Sequence, residues 1–259
     1  MKTYFYGKSK FCMKIKSIYL LLAFMLIGCA EEDAVTFEPY TISSENCENC
    51  SNVSIAIPRA LGQGKLSETI NSALREELIT LLNFDEESDA KTIEEAVDGF
   101  KKDYKNLNDK FPEESMPWVA KIKGGLTYES KQLLTIKLES YLFTGGAHGY
   151  STVRFLNFDK LLGAEMEKQD LFSSVEKFED FAEIAFRKQE NIALDELINS
   201  TGFMFETEQF TLPENIGYTE KGILLLYEPY EIAPYADGAI LLTLPFKDVN
   251  TFLKFPVLP

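Results

Sequence analysis

Tyr141-Leu142-Phe143-Thr144-Gly145-Gly146-Ala147-His148-Gly149-Tyr150 is the stretch on which the reading of this chain turns. A run of strand-like character ends in it, three glycines follow, and the single histidine of 259 residues stands among them. A second strand-like run, 151–158, leaves on the far side. Glycine suits positions where the backbone turns through positive φ or lets another group come close. The stretch therefore reads as a structured hinge between a front half and a back half.

On the N-terminal side the spacing of apolar residues is strand-like over 118–122, 126–128 and 133–143, giving with 150–158 four strands joined by short turns. Strands joined so tightly must pair antiparallel, because a parallel partner needs a long crossover. Further upstream, 53–58 alternates like another strand. Leu66, Ile70, Ala73, Leu74, Leu78, Leu81 and Leu82 recur at helical spacing. Thr92-x-x-Glu95 is a capping box for a second helix, which runs through Ile93, Val97, Phe100, Tyr104 and Leu107 to Phe111-Pro112.

On the C-terminal side, Ser173-x-x-Glu176 reads as another capping box, opening a long helix with Phe178, Phe181, Ala182, Ala185, Ile192 and Leu197. Strands are expected at 209–212, 216–219, 222–227 and 239–244, with a hairpin turn at 220–222 and a short helix from Pro245. The expected fold class is α+β: antiparallel sheets with helices on one face, in two associated subdomains at 53–160 and 161–259. No repeat of fixed period is visible.

The first residues read as an address. Lys8, Lys10, Lys14 and Lys16 precede an apolar run at 18–27, about half the length that spans a bilayer. Residues 1–28 are thus expected to be a signal peptide, and Met13-Lys14-Ile15-Lys16 would serve as its start as well as Met1 does. Leu26-Ile27-Gly28-Cys29 resembles the lipobox of bacterial lipoproteins, which implies an acyl (palmitate-type) anchor on Cys29. Residues 29–52 are polar and acidic and read as a tether.

The tether holds Cys47-Glu48-Asn49-Cys50. Neither a second cysteine pair nor a histidine cluster completes a zinc site, and no βαβ setting supports a redox motif. A local Cys47–Cys50 disulfide in an oxidising envelope is the expectation. The chain carries 26 basic and 41 acidic residues, net −15. Residues 1–28 hold five lysines and no acid, leaving 21 bases against 41 acids, −20. Such a charge disfavours nucleic acid and anionic lipid headgroups and favours cationic partners, and it also serves solubility.

The 141–149 stretch, Phe155-Leu156-Asn157-Phe158-Asp159, Gln169-Asp170-Leu171-Phe172 and Tyr227-Glu228-Pro229-Tyr230-Glu231-Ile232-Ala233-Pro234-Tyr235-Ala236-Asp237-Gly238 together resemble the RsiV-like family. This is a pair of bacterial envelope domains of unknown function. It includes the ectodomain of a lysozyme-sensing anti-sigma factor and the region preceding the catalytic domain of the deacetylase PdaC. The resemblance covers roughly 53–253. It implies a front PdaC N-terminal-like domain (53–160), a back RsiV-like domain (161–259) and an envelope location, at the outer membrane facing the periplasm or the surface. No sigma-binding segment or deacetylase domain is visible, so what carries over is a sensor or binding module, with a cationic lysozyme-like protein or a cell-wall component as ligand.

Chemistry is sparse. One histidine leaves no Ser-His-Asp site without His148, and no G-x-S-x-G turn exists. His148 reads as a hydrogen-bonded structural residue or as a ligand contact. The 227–238 segment packs tyrosines, prolines and acids as in a rigid loop presenting rings and carboxylates, or as in a stiff crossing with its rings in the core. Its candidate ligand-binding residues are Tyr227, Glu228, Tyr230, Glu231, Tyr235 and Asp237. The expectation is a non-enzymatic, lipid-anchored binding protein with no metal or cofactor. The alternative is a peptidoglycan hydrolase working through carboxylates.

Overall fold

In the computed structural model, residues 1–3, 35–44, 49–83, 89–113 and 116–257 are described, and Val35–Pro259 forms one compact unit. The elements run β1 (Thr36–Ser43), β2 (Asn52–Leu61), α1 (Lys65–Leu82), α2 (Ile93–Lys110), β3 (Val119–Glu129), β4 (Leu133–Phe143), β5 (Tyr150–Asp159), β6 (Ala164–Met166), α3 (Lys168–Leu171), α4 (Val175–Glu190), β7 (Asn215–Thr219), β8 (Gly222–Tyr227), β9 (Ile240–Leu244) and α5 (Phe246–Val249). The architecture is α+β, with a six-stranded sheet in sequence order β1 to β6 and an antiparallel three-stranded sheet β7-β8-β9.

The large sheet is mixed. β2 and β3 pair in parallel, Asn52 against Val119 through Ala56 against Lys123, and every other neighbouring pair is antiparallel. The antiparallel expectation fails at this step because α1 and α2 together supply the long crossover that a parallel pair needs. The second of these helices starts where its residues direct. The Thr92 side chain accepts from Glu95 N at 3.1 Å while the Glu95 carboxylate accepts from Thr92 N at 3.2 Å, closing the capping box.

Two cores lie on opposite faces of the large sheet. Val53, Ile55, Ile57, Ile122, Leu134, Ile136, Leu138, Leu156 and Phe158 meet Ile70, Leu74 and Leu78 of α1 and Val97 and Phe100 of α2. Leu133 on the opposite face of β4 joins a second core with Phe178 and Phe186 of α4 and with Ile216, Tyr218, Ile223, Leu225 and Leu242 of the small sheet. Side chains fasten the seam. Asn157 Nδ2 donates to Ile216 O at 2.8 Å, Thr127 Oγ1 to Tyr218 O at 2.9 Å, and Phe155 N to Asn215 Oδ1 at 2.9 Å. β6, from the back half of the sequence, completes the edge of the front sheet beside β5.

Several local expectations are overturned. Residues 36–43, read as tether, form β1, paired with β2 from Thr36–Leu61 to Ser43–Ser54. The strands expected at 118–122 and 126–128 are one strand, β3, which starts at Val119 and whose register shifts between Leu126 and Tyr128. Gly124 is no turn residue there: a Cβ at that position would stand 2.7 Å from the Leu138 side chain, so glycine answers cross-strand crowding. The cap of α4 is Ser174, which accepts from Lys177 N at 3.4 Å, whereas Ser173 donates its hydroxyl to Phe252 O at 3.0 Å. Asn191 in the left-handed conformation (φ 58°) ends α4, so Ile192 and Leu197 lie beyond it. Residues 209–212 form no strand.

Candidate functional site at the edge of strand β5

β4 ends at Phe143 and the chain turns through Gly145 (φ +108°) and Gly146 (φ +84°), conformations that only glycine adopts readily. Gly149 then passes against the Tyr141 ring, where a Cβ would be 2.5 Å from ring carbon. This turn holds His148 exposed, with Nδ1 3.1 Å from Gly149 O.

The other half of the site comes from the chain after β8. Glu228 projects its carboxylate onto β5, accepting from Val153 N at 2.8 Å, while the Asn215 amide donates to Val153 O. Beyond the three residues paired with β6, β5 would present a bare edge. Side chains of Asn215 and Glu228 occupy its peptide groups instead of a seventh strand, which blocks indiscriminate strand pairing. Glu228 N in turn donates to Glu231 Oε2 at 2.8 Å, and Glu231 N to Glu228 O at 3.0 Å, closing a tight turn.

That turn forces Tyr230 to φ +74°, an unusual conformation for a bulky residue, and leaves the residue 64% exposed. Ile232 and Ala233 plug into the core below. Pro234 then starts a single 3-10 turn, Tyr235–Asp237, which swings Tyr235 back toward the glycine turn. Tyr235 donates its hydroxyl to Gly149 O at 3.1 Å, and its ring stacks on His148 with centroids 4.6 Å apart and planes 19° from parallel. Tyr230 lies 5.4 Å from Tyr235. Two segments 86 positions apart thus build one rim of rings and carboxylates.

The electrostatics follow from partial burial. Loss of water raises the Glu228 carboxyl above its ordinary value, opposed by the Val153 N–H and by the Arg154 charge. Burial likewise raises Glu231, with Glu228 as a like-charged neighbour. Tyr150, at the start of β5, is raised by burial and then by Glu228, Tyr235, Glu231 and Tyr230, so it belongs to the same cluster. Arg154 is ion-paired with Glu77 of α1 at 3.1 Å. Farther along this edge Glu165 is raised by burial and by Glu167 and Glu77.

Of the sequence-derived candidates, His148, Glu228, Tyr230, Glu231 and Tyr235 come together, and Asp237 lies exposed on the 3-10 turn. Tyr227 does not join them. It is 1% exposed, donates its hydroxyl to Thr211 O at 2.7 Å and packs against Phe186, Phe205 and Phe210. Ending β8 on the inward face makes it a core residue. Sequence reasoning missed Tyr150 and Asn215. Tyr150 was visible as the first residue after the glycine turn, whereas nothing local marks Asn215. Cys50 is disulfide-bonded, while Cys29 and Cys47 lie outside the described residues. Among the described residues no group of three or more histidine, cysteine or acidic side chains is placed to hold a metal, and no helix is long and apolar enough to cross a membrane.

Residues 44–151 match the family model described as deacetylase PdaC, and residues 160–247 match DUF3298, a family of proteins of unknown function. The chain carries a PdaC domain and a DUF3298 domain in tandem. A crystal structure of a DUF3298 family member from Bacteroides fragilis superposes with a TM-score of 0.68 at 20% identity, covering 86% of this chain and 95% of that one. A DUF3298 family protein from Pseudomonas aeruginosa gives 0.62 at 21% identity, covering 87% and 99%. At such identities the likeness is one of fold. No curated protein matches the chain significantly. In the tandem pair, the glycine turn and most of the large sheet belong to the PdaC match, and the acidic tyrosine loop belongs to DUF3298. The rim is built from both.

Proposed function

We propose that this protein is a non-catalytic lipoprotein of the cell envelope whose rim at β5 holds a cationic partner, a lysozyme-like protein being the best fit. The observation that carries the reading is the meeting of His148, Tyr230 and Tyr235 with Glu228 and Glu231 on one exposed edge. Rings of this kind offer a cation both contact area and a negative π-face, and neighbouring carboxylates add Coulomb attraction. A net charge of −15 draws such a partner in from solution. Against a hydrolase, Glu228 is tied to the backbone of β5, a positioning task that leaves its carboxylate poorly placed to shuttle protons.

Binding of a cationic muramidase to the detergent-solubilised protein tests this reading. Capture should weaken steeply with salt and fall at least about tenfold when Tyr230 and Tyr235 are both replaced by alanine. Unchanged capture by that variant, or release of muropeptides from peptidoglycan by the protein alone, would refute it. The anchor has its own test: an absence of palmitate labelling on the native chain would remove the lipid from this account, and labelling that survives Cys29→Ser would remove Cys29 as its point of attachment.

A further inference from the structure

The end of the large sheet opposite the rim has its own chemistry. The pairings Thr36–Leu61, Glu129–Leu134 and Leu133–Asp159, with β2 and β3 running parallel, bring the start of β1 and the end of β5 to this same end. Three turns close it: 62–65 ahead of α1, 130–132 between β3 and β4, and 160–163 between β5 and β6. They are bonded into one surface. Lys160 N donates to Gln132 O at 2.8 Å, Lys65 Nζ to Leu162 O at 2.9 Å, and Thr69 Oγ1 to Gly163 O at 2.8 Å.

The 160–163 turn presents two leucines to solvent. Leu161 is 58% and Leu162 63% exposed, and Leu61, at the edge of the 62–65 turn, is exposed as well. The buried Asp159 carboxylate accepts from Leu161 N and Leu162 N, both at 2.9 Å, and Gly163 turns the chain back at φ +58°. Both leucine N–H groups are thus satisfied from within, and what faces outward is hydrocarbon. The three turns carry Lys65, Lys131 and Lys160 and no acid, a local reversal in a chain of net −15. Lys160 is paired with Glu129 at 2.7 Å, while Lys65 and Lys131 lie exposed. Exposed leucines flanked by lysines suit a bilayer interface, where ammonium groups stay level with headgroup phosphates and apolar side chains reach the acyl boundary.

We propose that the Leu161–Leu162 tip is a membrane-docking surface, seated in the headgroup layer of the bilayer that holds the acyl anchor. This rests on the reading of Cys29 as acylated. Thr36, the first residue of β1, is seven residues from Cys29, a covalent reach of at most about 25 Å. The anchor therefore keeps this end of the sheet, rather than the rim, beside the bilayer. The ten residues of β5, at about 3.3 Å each, set the rim roughly 30 Å farther out. Docking by the leucine tip turns His148, Tyr230 and Tyr235 away from the lipid, toward a partner arriving from solution.

Fluorescence quenching tests the tip on the acylated chain, purified from membranes and placed in phosphatidylcholine vesicles with brominated acyl chains. Trp118, the single tryptophan, stands just before β3 at the rim end and should keep its emission, which makes it the internal control. Leu162→Trp should add emission that brominated lipid quenches about twofold. Adding Leu161→Asp to that variant should remove most of this quenching with an unchanged unfolding midpoint, since the side chain is exposed. Flotation with the vesicles reads the anchor separately. A chain that fails to float has no anchor, and the docking proposal falls with it. A chain that floats while Leu162→Trp goes unquenched, is quenched no more than Trp118, or ignores Leu161→Asp keeps its anchor and overturns the docking tip alone.

Discussion

The two faces of the large sheet are packed with different chemistry. Toward α1 and α2 the core is aliphatic, strand and helix side chains interleaving with Phe100 and Phe158 as its fully buried phenylalanines. Toward the small sheet it is aromatic. Phe186 alone meets Phe203, Phe205, Phe210 and Tyr227, while Phe172 stacks on Phe178 at 3.9 Å. The aliphatic side is made of long regular elements, where periodic branched residues fill evenly spaced gaps. Between α4 and β7 the aromatic side consists of loops, and large rings meeting edge to face can bridge irregular backbone that no periodic stripe could cover. The tyrosine loop of the rim grows out of this aromatic side, so its shape is inherited from loop packing.

Matched truncations should expose that difference most strongly. Phe100→Ala and Phe186→Ala each remove a fully buried ring, at a cost of about 3–5 kcal/mol in denaturant unfolding. Phe186 supports Tyr227, from which the 228–238 loop departs, so its loss should also alter the near-ultraviolet signal of the rim tyrosines and weaken capture of a cationic partner. Phe100→Ala, on the opposite face, should leave both untouched in the protein that remains folded. Equal disturbance of the rim by the two variants would mean that the two cores are not separable in this way.

The same contrast explains what the sequence disclosed. The helices of the aliphatic side were legible because their apolar residues recur at helical spacing and Thr92-x-x-Glu95 caps as written. β1 was hidden because an edge strand with one neighbour needs no strong pattern, and its TFEPYTIS alternates only between exposed and half-buried. β4 is buried at four consecutive positions, 133–136, since each face has its own core; alternation, the usual sign of a strand, disappears there. At the rim the lone histidine, the glycines and the acidic tyrosine loop stood out by composition. Their meeting did not, because it depends on the stacking of β7 across β5, which no local pattern encodes. Tyr227 was misplaced for a related reason: composition marks a ring but not the side of the strand on which it falls.

The smallest effect expected concerns pH, and it distinguishes the rim from the ordinary surface carboxylates. Glu228 and Glu231 have folded values raised by burial, so the folded protein holds their protons more tightly than the unfolded chain does. Their contribution to stability is therefore fully present below the ordinary carboxylate range, near 4.3, and is lost as pH rises through the raised folded values. Capture of a cation needs the opposite form, both carboxylates ionised, and should strengthen across that same window. Comparing unfolding midpoints of the native chain and a Glu228→Gln, Glu231→Gln variant from pH 4 to 8 should show the native chain losing more stability on the way up, by a modest margin because Glu228 is only half-buried and Glu231 is exposed to solvent. Glutamine at 228 still offers an oxygen to Val153 N, so the edge of β5 stays covered in the variant. Parallel pH profiles for the two proteins would mean that the rim carboxylates titrate like any others, and that their partial burial is a consequence of covering the strand edge alone.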